Sequence, residues 1–91
     1  MADAANKLLV QVLTPEGEVF EGEVLQLSTK TTEGEIGVRA RHIPLVARLV
    51  ECELRLIHAE GNVERYRQGE GWLEVFANHA RVLVADAERI D

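Results

Sequence analysis

The apolar residues of this chain alternate with polar ones in short runs, and this alternation constrains the fold more than any other feature of the sequence. Leucine and valine recur at every second position in the runs LLVQVLT, VLQLST, ELRLIH, WLEVF and ARVLVA. A period of two places the apolar side chains on one face of a half-buried β-strand. In WLEVF, Leu73 and Val75 share one face. Trp72 and Phe76 then lie on the opposite face.

Turn-forming residues separate these runs. Pro15 and Gly17 are placed for a tight turn, AEGN indicates a hairpin loop at Gly61, and TEGEIG and QGEG supply further glycine breaks. Several short strands at this spacing predict an all-β fold, either a small β-sandwich or a flattened barrel of about eight to ten short strands. The only candidate helix is the C-terminal DAERID, which is too short to stand alone.

Length and charge narrow the class of protein. The 91 residues predict one domain, preceded by a short disordered tail at residues 1–7. The net charge of −6 argues against a nucleic-acid surface and against electrostatic docking on anionic lipid. No apolar run approaches the ~18 residues of a membrane span, so we expect no membrane insertion. Cys52 is the only cysteine, which excludes an internal disulfide.

The titratable residues give little support for catalysis. His42, His58, His79 and Cys52 are scattered, whereas metal sites usually show paired ligands at short spacing. We therefore expect no metal and no cofactor, with a metal-dependent enzyme using His42 as an alternative. Glu33 and Glu35 lie in a predicted glycine-flanked loop that offers no burial to separate two pKa values. A contact role for this exposed loop remains.

Lys30 raises an alternative from a different class of protein. Lipoyl and biotinyl carrier domains are also small β-sandwiches, and they carry their cofactor on a lysine at a hairpin tip. Lys30 has threonine on both sides, in the run STKTT, and threonine favours a strand. A carrier domain modified at Lys30 is therefore the alternative function.

Three ordered motifs give the chain a resemblance to a known family. The stretches VLTPEGEVFEGEV, TTEGEIGVRARHIPLVARL and GEGWLEVFANHARVLVADAE resemble the epsilon subunit of the F-type ATP synthase, which is called delta in mitochondria. The resemblance covers residues 8–87 and implies a β-sandwich domain of about ten strands. The family continues into a C-terminal helical hairpin. Residues 88–91 are then expected to be a stub of the linker to that hairpin, which is absent here.

The resemblance implies a non-catalytic subunit of the central stalk, or rotor. Such a subunit bridges the gamma subunit and the c-ring, and so couples proton translocation to ATP synthesis. It implies a peripheral location on the cytoplasmic face of the bacterial inner membrane. Because the helical hairpin is missing, the resemblance assigns neither inhibition of ATP hydrolysis nor nucleotide binding to this chain.

The resemblance also implies a contact with the c-ring. The acidic residue that meets the polar loops of the c-ring in the family falls on Glu35. Its neighbours Glu33 and Gly34 are weaker candidates for the same contact. A carboxylate facing polar or basic loops makes a physically reasonable contact at the rim of an interface.

A second set of contacts is implied at the junction of gamma and the c-ring. The family's histidine falls on His42, and Arg41 and Ile43 are neighbouring candidates. Thr14, at the end of the first strand, falls where the family faces gamma. Arg41 departs from the family pattern, which has glycine before the histidine. Pro44 is expected to set the entry to the following strand.

Overall fold

Ten β-strands form the framework of the computed structural model, which describes residues 6–91 apart from the side chain of Glu60. The strands are β1 Leu8–Thr14, β2 Gly17–Val24, β3 Gln26–Thr31, β4 Gly34–Arg39, β5 Leu45–Leu49, β6 Cys52–Ile57, β7 Val63–Gln68, β8 Gly71–Phe76, β9 His79–Val84 and β10 Ala87–Arg89. A 3-10 turn, Ala59–Gly61, lies in the loop between β6 and β7. The predicted all-β fold of eight to ten short strands is confirmed.

The strands are hydrogen-bonded in the order β10-β7-β6-β3-β5-β8-β9-β1-β2, and β4 joins the other side of β3. All pairings are antiparallel except that of β1 with β9. One side of β3 pairs first with β6 and then, at Thr31, with Leu49 of β5. The sheet therefore turns at β3, and its two halves enclose one core.

The core is built mainly from leucine and valine, as the alternation predicts. Its buried residues are Leu8, Val10, Val12, Val24, Leu27, Val38, Leu49, Leu54, Leu56, Tyr66, Leu73, Val75, Ala80, Val82 and Val84. They come from both halves of the sheet and form one cluster. The strands β1 and β9 contribute three of these side chains each, β6 and β8 two each, and β2, β3, β4, β5 and β7 one each. Period-two burial explains why the alternate side chains of these strands lie outside the core.

A buried polar group lies at the point where the pairing partner of β3 changes from β6 to β5. Gln68 has no exposed surface, and its Oε1 accepts a hydrogen bond of 2.9 Å from Oγ1 of Thr29. Its Nε2 donates a 3.0 Å bond to the carbonyl oxygen of Val50. Both ends of the amide are therefore satisfied, which removes most of the cost of burying it.

The C-terminal segment corrects one prediction. DAERID was predicted as a candidate helix, and this is wrong, because Ala87–Arg89 form β10 against β7. A helix of this length is unstable alone, whereas the open edge of β7 offers backbone partners for the segment. The sheet thus extends to Arg89, into the predicted stub at residues 88–91. Most of the predicted N-terminal tail, residues 1–5, lies outside the described residues.

Gly71 is required by the close packing of β8 on β9. A Cβ atom at this position would lie 1.9 Å from the carbonyl oxygen of Leu83 and 2.7 Å from Cα of Val84. Both are backbone atoms, so they cannot move without disturbing the ladder. At Gly37, by contrast, a Cβ would meet only the side-chain amide of Gln26, at 2.9 Å, and this flexible side chain can shift at the cost of its bond to the Ser28 hydroxyl.

We therefore predict that Gly71→Ala lowers the free energy of unfolding by about 3 kcal/mol, the upper range for overpacking. Urea unfolding monitored by circular dichroism measures the change. The matched control Gly37→Ala should lose less than about 1 kcal/mol, as expected of a surface position. Equal losses in the two variants would contradict the steric explanation.

Candidate functional site

The β3–β4 hairpin presents the residues predicted to meet the c-ring. Its two strands close at Thr31 and Gly34. The Thr31 hydroxyl donates to the carbonyl oxygen of Gly34 at 3.1 Å and accepts from the Glu33 backbone N–H at 3.0 Å. Gly34 has a φ of +123°, which favours glycine. These contacts fix the turn and leave Glu33 exposed at its tip.

Glu35 lies in a strand, and the prediction of a loop from TEGEIG is wrong from Gly34 onward. It is exposed and lies directly across from Lys30 in the register of the hairpin. The structure thus brings Glu33, Gly34 and Glu35 together. Lys30 lies within β3 and not at the hairpin tip, so the carrier hypothesis loses its geometric basis.

The second predicted group lies at the other end of β4. His42 is half-buried, and its backbone N–H donates to the carbonyl oxygen of Arg39 at 3.2 Å. Its Nδ1 lies 2.7 Å from the carbonyl oxygen of Ile43, whose side chain is 74% exposed. The strand places Glu35 about 14 Å from Arg39, at 3.4 Å per residue. The structure therefore separates the Glu35 group from the His42 group.

Arg41 adopts the left-handed backbone conformation, with a φ of 67°. This region favours glycine, because a Cβ atom crowds the neighbouring carbonyl oxygen. The strain explains in physical terms why the family pattern has glycine here. The conformation is held by the Arg41 backbone N–H, which donates to Oδ1 of Asn78 in the β8–β9 turn.

We predict that Arg41→Gly raises the free energy of unfolding by about 1 kcal/mol, because it removes left-handed strain at a small cost in chain entropy. Arg41→Ala is the matched control, since it also removes the side chain but keeps the Cβ atom. Thermal and urea unfolding of the three chains measure the effect. A glycine variant no more stable than the alanine variant would show that the strain is negligible.

Thr14 is not brought together with His42. It ends β1, where its hydroxyl accepts from the Glu16 backbone N–H and donates to the carbonyl oxygen of Gly17, both at 3.2 Å. Asn78 bonds both the Arg41 turn and Leu9, which lies at the opposite end of β1 from Thr14. Thr14 therefore forms a third, separate position among the predicted contact residues.

An exposed apolar surface was not predicted as a site. We call it the aromatic face, and it consists of Val46, Arg48, Trp72 and Phe76 on β5 and β8. Phe76 is 62% exposed and Trp72 47% exposed, and the Arg48 guanidinium lies 5.5 Å from the centroid of the Trp72 ring. The alternation already placed both aromatic residues opposite the core. Two exposed rings in a chain with only 4% aromatic residues were the signal that could have identified this surface.

The histidines serve different local contacts. Nε2 of His79 lies 3.0 Å from Oε1 of Gln11, and Nε2 of His58 lies 3.3 Å from Oε2 of Glu64. Within residues 6–91, no three His, Cys, Asp or Glu side chains are placed to hold a metal ion. In that same range, no helix is long and apolar enough to cross a membrane.

Tyr66 is the one tyrosine, and its environment changes its ionisation. Burial first, and then the hydrogen bond of its hydroxyl to Oε1 of Glu64 at 3.1 Å, raise its pKa above the ordinary value of 10.0. The unfolded chain therefore ionises at lower pH than the folded chain. This contribution to stability is complete below pH 10.0 and is lost as the pH rises through the folded pKa.

We predict that Tyr66→Phe lowers the free energy of unfolding at neutral pH by about 1 kcal/mol, through loss of the hydrogen bond. The variant should also lose less stability than the parent chain between neutral pH and pH values above 10. Urea unfolding over this range measures both effects, and tyrosinate absorbance reports Tyr66 alone. Parallel stability profiles in the two chains would contradict the assignment.

Comparison with known proteins gives a consistent result. A family sequence model described as "ATP synthase, Delta/Epsilon chain, beta-sandwich domain" matches residues 7–90. The ATP synthase epsilon chain of Shouchella clausii is 42% identical over 80 residues, which are 88% of this chain and 59% of that protein. The epsilon chain of Mycolicibacterium vanbaalenii is 39% identical over 83 residues, covering 90% and 69% of the two chains.

Solved structures share the fold. A chain of the Euglena gracilis mitochondrial ATP synthase (OSCP/F1/c-ring) superposes with a TM-score of 0.86 at 21% identity, over 93% of this chain and 56% of that one. A chain of the Tetrahymena thermophila mitochondrial ATP synthase (central stalk/c-ring) gives 0.71 at 19% identity, over 89% and 65%. The present chain spans about three fifths of the length of the bacterial relatives it matches first, 59% and 64%. It belongs to the delta/epsilon chain family of ATP synthase, through the β-sandwich domain of that family.

Proposed function

We propose that this chain is a non-catalytic subunit of the central stalk of a bacterial F-type ATP synthase. In this role it binds the gamma subunit and the c-ring, so that proton translocation stays coupled to ATP synthesis. Membership of the family supports the proposal, since the relatives are named ATP synthase epsilon chains. The observation that carries it is the separation of an exposed acidic hairpin from an exposed aromatic face, because a bridging subunit needs two distinct contact surfaces.

The acidic hairpin is the proposed contact with the c-ring. Glu33 and Glu35 are exposed, and Gly34 lies between them and carries no side chain. Carboxylates at a rim attract polar or basic loops and mainly increase the association rate and the specificity. We assign the contact to Glu35 first, with Glu33 and Gly34 beside it.

The aromatic face and the adjacent turn are the proposed contact with gamma. Protein interfaces are enriched in aromatic residues and arginine, and large aromatic side chains often carry most of the binding energy. Trp72 and Phe76 fit this pattern, and they lie on β8, which pairs with β5, the strand that begins shortly after Ile43. His42 and Arg41 lie in the turn before β5, where gamma and the c-ring would meet. Thr14 remains a separate proposed contact with gamma.

The proposal places the chain at the membrane only through its partners. The synthase complex is membrane-associated, and we assign the subunit to the cytoplasmic face of the bacterial inner membrane, as a peripheral component. No nucleotide or cofactor binding is proposed for these 91 residues. The subunit would act by contact alone, holding the rotor together while catalysis takes place elsewhere in the complex.

We predict that the two surfaces can be separated by mutation. Replacing Phe76 with serine and Trp72 with alanine should weaken gamma binding about 30-fold, the range for loss of an aromatic hot spot. Glu35→Gln should instead weaken binding to a purified c-ring about threefold and reduce its salt dependence, as expected of a rim charge. Calorimetry with gamma and surface binding to the c-ring measure the two affinities.

Two controls make these results specific. Val63→Ala removes an exposed apolar side chain that lies on β7, away from the aromatic face, and should leave gamma binding unchanged. Glu18→Gln neutralises an exposed carboxylate on β2 and should leave c-ring binding unchanged. Folded variants of the aromatic face that bind gamma as tightly as the parent chain would exclude this surface from the interface.

A further inference from the structure

The β4 strand has one free edge, and its backbone geometry is determined by its neighbours. It pairs only with β3 among the described strands. On the far side of β3, the carbonyl oxygen of Lys30 accepts from Val50 N–H, and Thr32 N–H donates to Arg48. The even-numbered residues of β3 therefore bond towards β5 and β6, because backbone groups alternate along a strand. Its odd-numbered residues bond towards β4.

This alternation identifies the backbone groups of β4 that face away from the sheet. Its residues 34, 36 and 38 pair with the odd-numbered residues of β3 and use their N–H and C=O groups within the hairpin. The groups of Glu35, Gly37 and Arg39 therefore point outward. All three residues are exposed. The carbonyl oxygen of Arg39 also accepts from His42 N–H at 3.2 Å and retains one lone pair for a second donor.

The charges along this edge are self-complementary. Glu35 and Arg39 lie two residues before and two residues after Gly37. If two copies pair in antiparallel orientation about Gly37, Glu35 of each copy lies directly across from Arg39 of the other. Gly37 meets Gly37 at the centre, where no side chain obstructs the approach. Among the described residues, neither Glu35 nor Arg39 forms an ion pair within its own chain.

We propose that the isolated chain self-associates through β4, forming a two-fold dimer with a sheet that continues across both copies. Each of the three outward residues then exchanges backbone hydrogen bonds with its partner, as in an ordinary antiparallel ladder. On the outer surface, Glu35 lies between Lys30 of its own chain and Arg39 of the second copy. The symmetry explains why a second copy fits this edge better than a peptide with one sign of charge.

The other free edges do not offer the same fit. The outer strand β2 carries the exposed residues Glu18, Glu21 and Glu23, so that two copies would bring only negative charges together. The β10 edge is three residues long and too short for a stable ladder. Charged edges of this kind are a common protection against unwanted strand pairing. The mixed charge of β4 lacks this protection.

The dimer should be weak and should compete with assembly. A single pair of six-residue strands buries less surface than a stable interface requires, so we expect a dissociation constant on the order of 0.1 mM. The pairing covers Glu35, which the proposed function assigns to the c-ring. On that proposal, a paired copy cannot bind the c-ring. The dimer is tested on the isolated chain, so the result of that test does not depend on whether the chain binds the c-ring.

Cross-linking tests the register. In a Cys52→Ser background, Gly37→Cys should form a dimer with a bismaleimide whose span is shorter than four strand residues, about 14 Å. Glu35→Cys alone should not cross-link, but a mixture of Glu35→Cys and Arg39→Cys chains should form the mixed dimer. Glu18→Cys, on the β2 edge, is the control for random collision. Equal yields from Glu18→Cys and Gly37→Cys would overturn the proposal.

Charge reversal tests the pairing without cysteines. By sedimentation equilibrium, Glu35→Lys should raise the dissociation constant about tenfold, because both ion pairs become repulsive. Adding Arg39→Glu to the same chain should restore the constant to within about threefold of the parent value. Circular dichroism confirms that each variant is folded. A parent chain that stays monomeric at about 1 mM, or a double variant as weak as the single one, would also overturn the proposal.

Discussion

The pairing of β3 with three other strands is the interaction on which the rest of the structure depends. One side of β3 holds β4 along its whole length, and the other side is divided between β6 and β5. Where this division leaves the ladder incomplete, the buried amide of Gln68 bonds Thr29 and the Val50 carbonyl. A buried polar network of this kind is costly unless every member is satisfied. Here it closes the junction and keeps the β3–β4 hairpin in a fixed position relative to the core.

The C-terminal strand is hydrogen-bonded to β7, and a row of ion pairs on the surface accompanies this pairing. Arg67 lies 2.8 Å from Glu51 and 3.2 Å from Asp86, and Arg65 lies 2.9 Å from Asp91. The hydrogen bond and charge of Asp91 raise the pKa of Arg65, and Asp86 does the same for Arg67. These pairs are exposed and screened by salt, so they specify the register of β10 more than they stabilise the fold.

The sequence predicted the parts of the structure that depend on a local pattern. Alternation identified β1, β3, β6, β8 and β9 and the outward direction of Trp72 and Phe76, because side-chain direction has a period of two in any strand. It could not identify β10, whose three residues are too few to show a pattern and which depends on the distant edge of β7. Nor could alternation show that Gln68 is buried, since its burial follows from the junction where β3 changes its partner from β6 to β5.

The candidate site was also predicted only in part, since its residues were located but their arrangement was not. The resemblance located Glu35 and His42, and the structure shows their surroundings without testing their roles. Their separation could not be predicted, because the pattern TEGEIG predicts a loop for part of the stretch between them, and a loop does not determine the distance between its ends. The strain at Arg41 was also hidden, since a positive φ arises from the turn as a whole. The one signal of this strain in the sequence was that Arg41 stands where the family pattern has glycine.

The strand character of β4 has a mechanical consequence for the proposed function. A flexible loop would let the acidic hairpin and the His42 turn move independently. A strand bonded to β3 along its length moves as part of the sheet, and its ends keep a separation of about 3.4 Å per residue. Contacts made at one end are therefore transmitted to the other as rigid-body displacement. That property suits a subunit that must turn with its partners, and it depends on β3 as much as on the contact residues themselves.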